Sequence, residues 1–377
     1  MPPLPPLGLY VHIPFCSAIC NYCNFNRGLL DEDLKARYVD ALVEDIRRQA
    51  DGAPVDTIYF GGGTPSLLAP GEVSRVIDGC ARAFALDRDT EVTLEANPET
   101  LTGEGLAGFR AAGVNRLSLG VQSFHDEELA RLGRIHGAAR ACEAFALARR
   151  AGFDNVSLDL MLWLPGQSLA AWLSSVDALV ALQPEHASLY LLELYPNAPL
   201  RDEMARGGWD LPPDELAASM YLDGLARLDA GGYRQYEISN VARAGRESRH
   251  NLKYWTDGAW LAFGCGAHGR RDGVRWRNVT TASDYVDRVK RGDDVAGERA
   301  ALTRDEAFGE AMFMGLRLSN GVDLRAIEAR YGVDPLARHG TELEPFLALG
   351  LLRCNEGRLS LTREGFLVAN EIMAVFV

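Results

Sequence analysis

Basic charge is what this sequence lacks most plainly. Its 39 Lys and Arg face 52 Asp and Glu, a formal net charge of −13. A non-specific nucleic-acid binder needs a basic footprint, so that class is excluded. Long apolar runs are missing too, and none approaches the roughly 18 residues of a membrane-spanning helix. The opening, MPPLPPLG, has neither the basic nor the apolar region of a secretory signal. These absences point to a cytoplasmic protein in a reducing compartment, where disulfides are not expected. There is no internal repeat, and no low-complexity tract beyond the first six residues. Cysteine is scarce, seven among 377 residues. The rest of the composition, 47% hydrophobic and 24% charged, is ordinary for a globular chain able to form one large domain and a smaller one.

Three of the seven cysteines nevertheless fall within eight positions. In HIPFCSAICNYCNFN (12–26), Cys16, Cys20 and Cys23 follow C-x3-C-x2-C. With His12 they could form a closed Cys3His zinc site. Cys20 and Cys23 alone could be a redox pair, which leaves Cys16 unexplained. An iron–sulfur cluster usually takes four cysteines, so three would leave one iron open to a ligand. The spacing alone leaves these alternatives open. Cys80, Cys142, Cys265 and Cys354 are scattered and mostly read as small core residues.

Short β-branched or aliphatic runs alternate with amphipathic stretches. The runs are 7–13, 56–60, 91–96, 116–121, 155–162 and 186–194; the helical patterns include 34–50 and 136–151. Such alternation predicts parallel strands with crossover helices, as a barrel or a doubly wound sheet. Polar residues follow the runs: His12, the loop GGGTPS (61–66), Glu95, Gln122, Asp159 and Glu193. Any one could simply mark a strand end. Six in succession favour a barrel with one shared site at the C-terminal ends. The glycine loop has no following Gly-Lys-Ser/Thr and is not a dinucleotide fingerprint; it reads as backbone that lets a ligand approach closely. Residues 225–300 are less regular. After Leu302 helical patterning returns, and 348–362 predicts a hairpin around NEG. Helices followed by a hairpin suggest a winged-helix-like fold. Residues 301–377 carry eight Arg against eleven Asp and Glu, which argues against DNA binding.

YVHIPFCSAICNYCNF, YFGGGTPS, LEANPE, GVQSF, LGRIH and DLMLWLPGQS occur in this order. Together they resemble radical S-adenosylmethionine (SAM) proteins of the coproporphyrinogen-dehydrogenase type. The resemblance covers most of the chain. It implies an α/β fold, a partial (β/α)6 TIM-type barrel with a C-terminal helical, winged-helix-like domain. The expected units are a barrel core at 1–235, a connecting region at 236–300 and a C-terminal domain at 301–377. It also implies a [4Fe–4S] cluster on Cys16, Cys20 and Cys23, with SAM on the open iron and reductive cleavage to a 5′-deoxyadenosyl radical. Tyr10, Tyr22, Gly62, Gly63, Thr64 and Glu95 match the family's SAM contacts. Gln122, Arg134 and Asp159 match residues attributed in the dehydrogenase to a second SAM. Chemically, Glu95 and Asp159 can accept from an amine or hydroxyls, and Arg134 can pair a carboxylate.

Two departures separate this chain from the dehydrogenase. Position 25 is Phe where a further cysteine is expected, and Cys16 comes too early for an N-terminal arm over the substrate. Both resemble the HemW haem-chaperone family, whose H-N-x-x-Y-W motif is present from His250 to Trp255. That resemblance implies haem as ligand, contacts from His250, Tyr254 and Trp255, and haem-acceptor proteins as partners. A homodimer and peripheral membrane association are compatible with it. Judged by chemistry alone, a lone His among aromatics is more often a hydrogen-bonded packing residue. His268 and Cys265 are competing ligands. Trp163 stands where relatives carry smaller residues, and a bulky ring beside Asp159 would reshape the second SAM site. The alternatives are a radical enzyme, an oxygen-independent coproporphyrinogen III oxidase or related methylase or cyclopropanase, and a zinc-stapled binding protein without SAM chemistry.

Overall fold

The computed structural model describes residues 6–377; the proline-rich opening up to residue 5 lies outside the described residues. Six strands follow one another in space as in sequence: β1 (Leu7–Ile13), β2 (Pro54–Gly62), β3 (Ala85–Ala96), β4 (Arg116–Gln122), β5 (Val156–Leu162) and β6 (His186–Leu191). All neighbouring pairs are parallel. Crossover helices make this possible. The helix Glu32–Arg48 starts at Asp31, whose side chain accepts from the Leu34 N–H, and ends with Arg47 and Arg48 in the last turn. Its Tyr38, Val39, Leu42 and Ile46 recur at helical spacing and pack on the sheet, where Leu9, Val11 and Ile13 are fully buried.

The sheet does not close. Beyond β1 lies the parallel strand Trp260–Phe263, followed by antiparallel His268–Arg271, Val274–Asn278 and Ala296–Ala301. Beyond β6 lie Asn240–Ala242 and Arg234–Glu237. The expected six-strand partial barrel is therefore present, inside a twelve-stranded open sheet. Residues 236–300 are more regular than their sequence implies. Their strands run only three to six residues, and their Arg- and Gly-rich faces stay partly exposed, so they carry little hydrophobic alternation.

The C-terminal part has its own core, around Phe308, Met312, Leu343, Leu359 and Ile372. Helices Arg304–Gly315, Leu324–Tyr331 and Pro335–Ala348 precede the hairpin Leu352–Asn355/Arg358–Leu361. Glu356 and Gly357 both have positive φ, 52° and 77°, at its tip. This is the hairpin expected around NEG. No helix among the described residues is long and apolar enough to cross a membrane.

Candidate functional site

The C-terminal ends of the six strands open into a cavity of ≈ 360 Å³. Cys16, Cys20 and Cys23 line it, with Tyr22, Gly62, Gly63, Thr64, Glu95, Gln122, Arg134 and Asp159. The segment after β1 that carries the cysteines is pinned at its base by parallel pairing of Phe15–Cys16 with Gly28–Leu29. Within it the Cys23 N–H donates to the Cys20 carbonyl at 3.2 Å. Thr64 Oγ1 donates to Cys16 Sγ at 3.6 Å, and Arg134 Nη1 reaches Cys20 Sγ at 3.4 Å. Burial pushes the Cys16 thiol up, and nearby Cys23 and Cys20 add to the shift.

The glycine loop serves close packing as much as ligand approach. A Cβ on Gly63 would stand 2.7 Å from the Phe15 carbonyl and 3.0 Å from Cys16 Sγ. Gly62 has φ +119°, and a Cβ there would meet the His12 ring at 2.6 Å. That ring is fixed from both sides: Nδ1 bonds the Tyr10 hydroxyl at 3.1 Å and Nε2 the Asn26 carbonyl at 2.7 Å. His12 therefore has no free nitrogen for the zinc site its position suggested. Among the described residues, no three His, Cys, Asp or Glu side chains converge on a single-ion site. Three thiols lining one cavity fit an iron–sulfur cluster with one iron left open to a ligand.

Three buried polar atoms of residues lining this cavity lack partners, Arg27 Nε, Gln122 Oε1 and Arg134 Nε. They suit a ligand that both donates and accepts. Gln122 also holds φ +70° at the end of β4, an uncommon conformation for a residue with a Cβ. Arg134 Nη2 is held by Asn97 Oδ1 at 2.7 Å and the Gly120 carbonyl at 2.8 Å. Burial raises the Glu95 carboxyl to about 7, although the Tyr59 hydroxyl (2.8 Å) and the Gly62 N–H (3.1 Å) donate to it. Burial also raises Asp159, against hydrogen bonds from serines including Ser118. Trp163 does not enter the cavity. Its indole donates to the Pro212 carbonyl at 2.6 Å, and Met161 lines the wall instead.

A second cavity, ≈ 740 Å³, adjoins the first; Asn24, Phe25, Gly62, Glu95, Tyr190 and Tyr195 line both. Tyr10, the one expected SAM contact missing from the first cavity, lines the second. Phe25 is 66% exposed, so the residue at the expected cysteine position stands at the shared mouth. Tyr254, Trp255, Trp260 and His268 form much of the far wall. The Tyr254 and Trp260 rings meet edge to face, their centroids 4.7 Å apart.

His250 lies behind that wall, fully buried. Its helix, Arg249–Trp255, starts at Ser248, and the Glu91 carboxylate accepts from the first N–H groups. His250 and Tyr254, four residues apart, share a face. Nδ1 bonds Thr57 Oγ1 at 2.8 Å and Nε2 the Tyr254 hydroxyl at 2.9 Å; the ring stacks on Tyr59 at 5.2 Å. Burial, then Lys253 and Arg116, lowers its pKa to about 3. In this arrangement His250 offers iron no free nitrogen, as its chemistry-only reading suggested. Cys265 is also buried away from the cavity, its Sγ accepting from Tyr38 and Asn26. His268 lines the cavity, and no hydrogen bond engages its ring nitrogens among the described residues. Of the four scattered cysteines, Cys80 and Cys265 are buried as expected, but Cys142 and Cys354 are exposed.

Comparison with known proteins agrees with this geometry. Residues 10–179 match the Radical SAM superfamily, and residues 302–368 match the HemN C-terminal domain. The chain is 37% identical to Heme chaperone HemW of Bacillus subtilis, over 98% of both chains. It is 36% identical to Heme chaperone HemW of Escherichia coli, over 99% of both. A further relative is the mitochondrial radical S-adenosyl methionine domain-containing protein 1 of Bos taurus, 38% identical over 97% of this chain and 86% of the relative. Coproporphyrinogen III oxidase HemN from Escherichia coli, described as a radical SAM enzyme, superposes with a TM-score of 0.88 at 26% identity, over 99% of this chain and 90% of that one. The motifs, the fold and this similarity along the whole chain agree: the chain belongs to the HemW family within the radical SAM superfamily.

Proposed function

We propose that the chain is a cytoplasmic haem chaperone that takes haem into the larger cavity and passes it to haem-requiring proteins, among them respiratory enzymes. The observation that carries this is the cavity itself, ≈ 740 Å³ and walled by Tyr254, Trp255 and Trp260 with an imidazole facing in. Its size lies within the usual range for small-molecule sites. In this reading Tyr254 and Trp255 cover the macrocycle and His268 faces the iron. His250 holds the Tyr254 hydroxyl from behind.

Cys16, Cys20 and Cys23 would hold the [4Fe–4S] cluster; Tyr22, Gly62, Gly63, Thr64, Glu95, Gln122, Arg134 and Asp159 would surround SAM, with Tyr10 behind Glu95. When bound, the cluster supplies the electron for reductive cleavage of SAM. The chain's own part is to hold the thiols through Thr64 and Arg134, to offer donor and acceptor atoms, and to present Glu95 to both cavities.

Titrating the purified protein with haemin tests the proposal, and a saturable Soret band is expected. His268→Ala should shift that band or weaken binding about tenfold, while His250→Ala should keep its position. No saturable binding would remove the chaperone reading. Loss of the band in His250→Ala alone would return the ligand role to the motif histidine. Vesicle flotation and sedimentation test the two remaining partner expectations, membrane association and a homodimer.

A second reading, a radical enzyme on a porphyrinogen, is favoured by the adjoining cavities and the likeness to HemN. Anaerobic incubation with dithionite, SAM and coproporphyrinogen would then give a vinyl-bearing product. The chaperone reading expects none.

A further inference from the structure

The larger cavity has a chemical polarity that the haem motif does not explain. Three N–H groups of residues lining it are buried without an acceptor: Arg277 Nε, Arg317 Nε and Trp255 Nε1. One lining acceptor, Asn240 Oδ1, is unpaired as well. Buried donors are almost always paired, so three unpaired donors against one acceptor call for a ligand that brings mainly acceptors. Arg277 stands opposite His268 in the antiparallel pairing of Val274–Asn278 with His268–Arg271. Directly opposed residues share a face, so guanidinium and imidazole are neighbours. Glu298 is the cross-strand neighbour of Arg277 on its other side. Yet among the described residues no carboxylate lies within ion-pair distance of Arg277, unlike Arg275, which pairs with Glu310. Arg317 stacks on the Trp255 ring at 4.2 Å and reaches Glu237 Oε2 only at 3.5 Å. The cavity's own carboxylates are Glu95, shared with the smaller cavity, and the buried Glu237.

A flat apolar ligand with anionic groups fits these features together. Arginine pairs carboxylates through two parallel hydrogen bonds and lies flat on aromatic rings. We propose that Arg277 and Arg317, with the Trp255 indole, form a carboxylate-binding wall that takes the two propionate groups of a porphyrin macrocycle. This would fix which edge of the macrocycle enters first, with the propionates inward and the apolar edge towards Phe25 and Tyr195 at the mouth. The inference rests on the haem-chaperone reading and adds to it the residues that orient the ligand.

The test compares haemin with haemin dimethyl ester, which keeps the macrocycle and iron but loses both anionic groups. The unmodified chain should bind haemin at least about tenfold tighter than the ester, since each charge-assisted hydrogen bond lost is worth about that factor or more. Arg277→Gln and Arg317→Gln should each weaken haemin about tenfold and change ester binding less than twofold. Arg317 also covers Trp255, so Arg317→Gln could misfold; the ester comparison in the unmodified chain decides without it. Equal affinity for haemin and ester overturns the carboxylate wall and leaves the chaperone reading standing. Absence of any haemin binding overturns both.

Discussion

The smaller and larger cavities are neighbours with opposite constructions. The smaller is assembled from successive strand ends: Cys16 to Cys23 after β1, Gly62 to Thr64 after β2, Glu95 on β3, Gln122 on β4 and Asp159 on β5. Each contribution sits in a short local motif because a parallel sheet delivers every strand end to the same rim. The larger gathers Tyr10, Tyr190, Tyr254, His268, Arg277 and Arg317 from distant parts of the chain. It combines barrel residues such as Tyr10, Tyr59 and Tyr190 with residues from the added strands at both edges of the sheet, from the helix Arg249–Trp255 and from the C-terminal part. Sequence motifs therefore announce the first cavity loudly and the second only through the stretch His250–Trp255. The difference suggests that generic chemistry resides in the strand-end rim and ligand identity in the added edges.

The largest expected effect separates the two. Replacing Cys16, Cys20 and Cys23 together with Ala should abolish iron incorporation on reconstitution, read as iron content and visible absorbance. Haemin affinity should stay within about twofold, because none of the three lines the larger cavity. A parallel collapse of haem binding would show that the cavities are one site and would break the comparison.

Gly63→Ala should act next in size. Its Cβ would meet a backbone carbonyl at 2.7 Å as well as Cys16 Sγ, and backbone has little room to yield. Overpacking of this kind costs about 1–3 kcal/mol. A lower thermal midpoint with reduced iron loading and unchanged haem affinity is expected. A variant as stable and as well loaded as the parent would mean that the loop shifts freely.

The same contrast explains what the sequence made legible. All six barrel strands are readable because their buried residues are apolar and their ends carry function. Even so, β3 begins at Ala85, six residues before its apolar run, since Ala85–Asp89 is mostly exposed and polar while pairing with Pro54 and Val55. The three cysteines and eight of the nine residues that the resemblance assigned to SAM line the smaller cavity, with Glu193; Tyr10 and His12 line the larger one. Arg277, Arg317 and Trp260 were not readable. A chain rich in Arg gives no local sign of which guanidinium lacks a partner; that depends on Glu298 and Glu237 across the fold. Trp163 misled for a related reason, since its neighbour Asp159 points into the cavity while its own positive φ of 65° turns the indole towards Pro212.

Glu95 lines both cavities, so its titration gives the finest test of their separation. Burial raises its carboxyl from the ordinary value to about 7. A folded-state pKa above the unfolded one means that the protonated form is favoured in the fold. Its contribution to stability is therefore full below the unfolded value, near 4.5, and is lost as pH rises through about 7. A ligand with a cationic amine and sulfonium favours the ionised carboxylate instead. SAM affinity should thus rise between about pH 6 and 8, by at most about tenfold per unit, and level off above. Glu95→Gln should flatten this rise, leaving the part due to Asp159, which burial shifts in the same direction; adding Asp159→Asn should remove that too. Tyr59 is pushed well above the usual tyrosine range by burial and stays neutral throughout. Haemin brings carboxylates rather than an amine or sulfonium, and its proposed partners are Arg277, Arg317 and the Trp255 indole. Its affinity over the same pH range should be insensitive to Glu95→Gln. A haemin profile that moves with the SAM profile would show that Glu95 couples the two cavities.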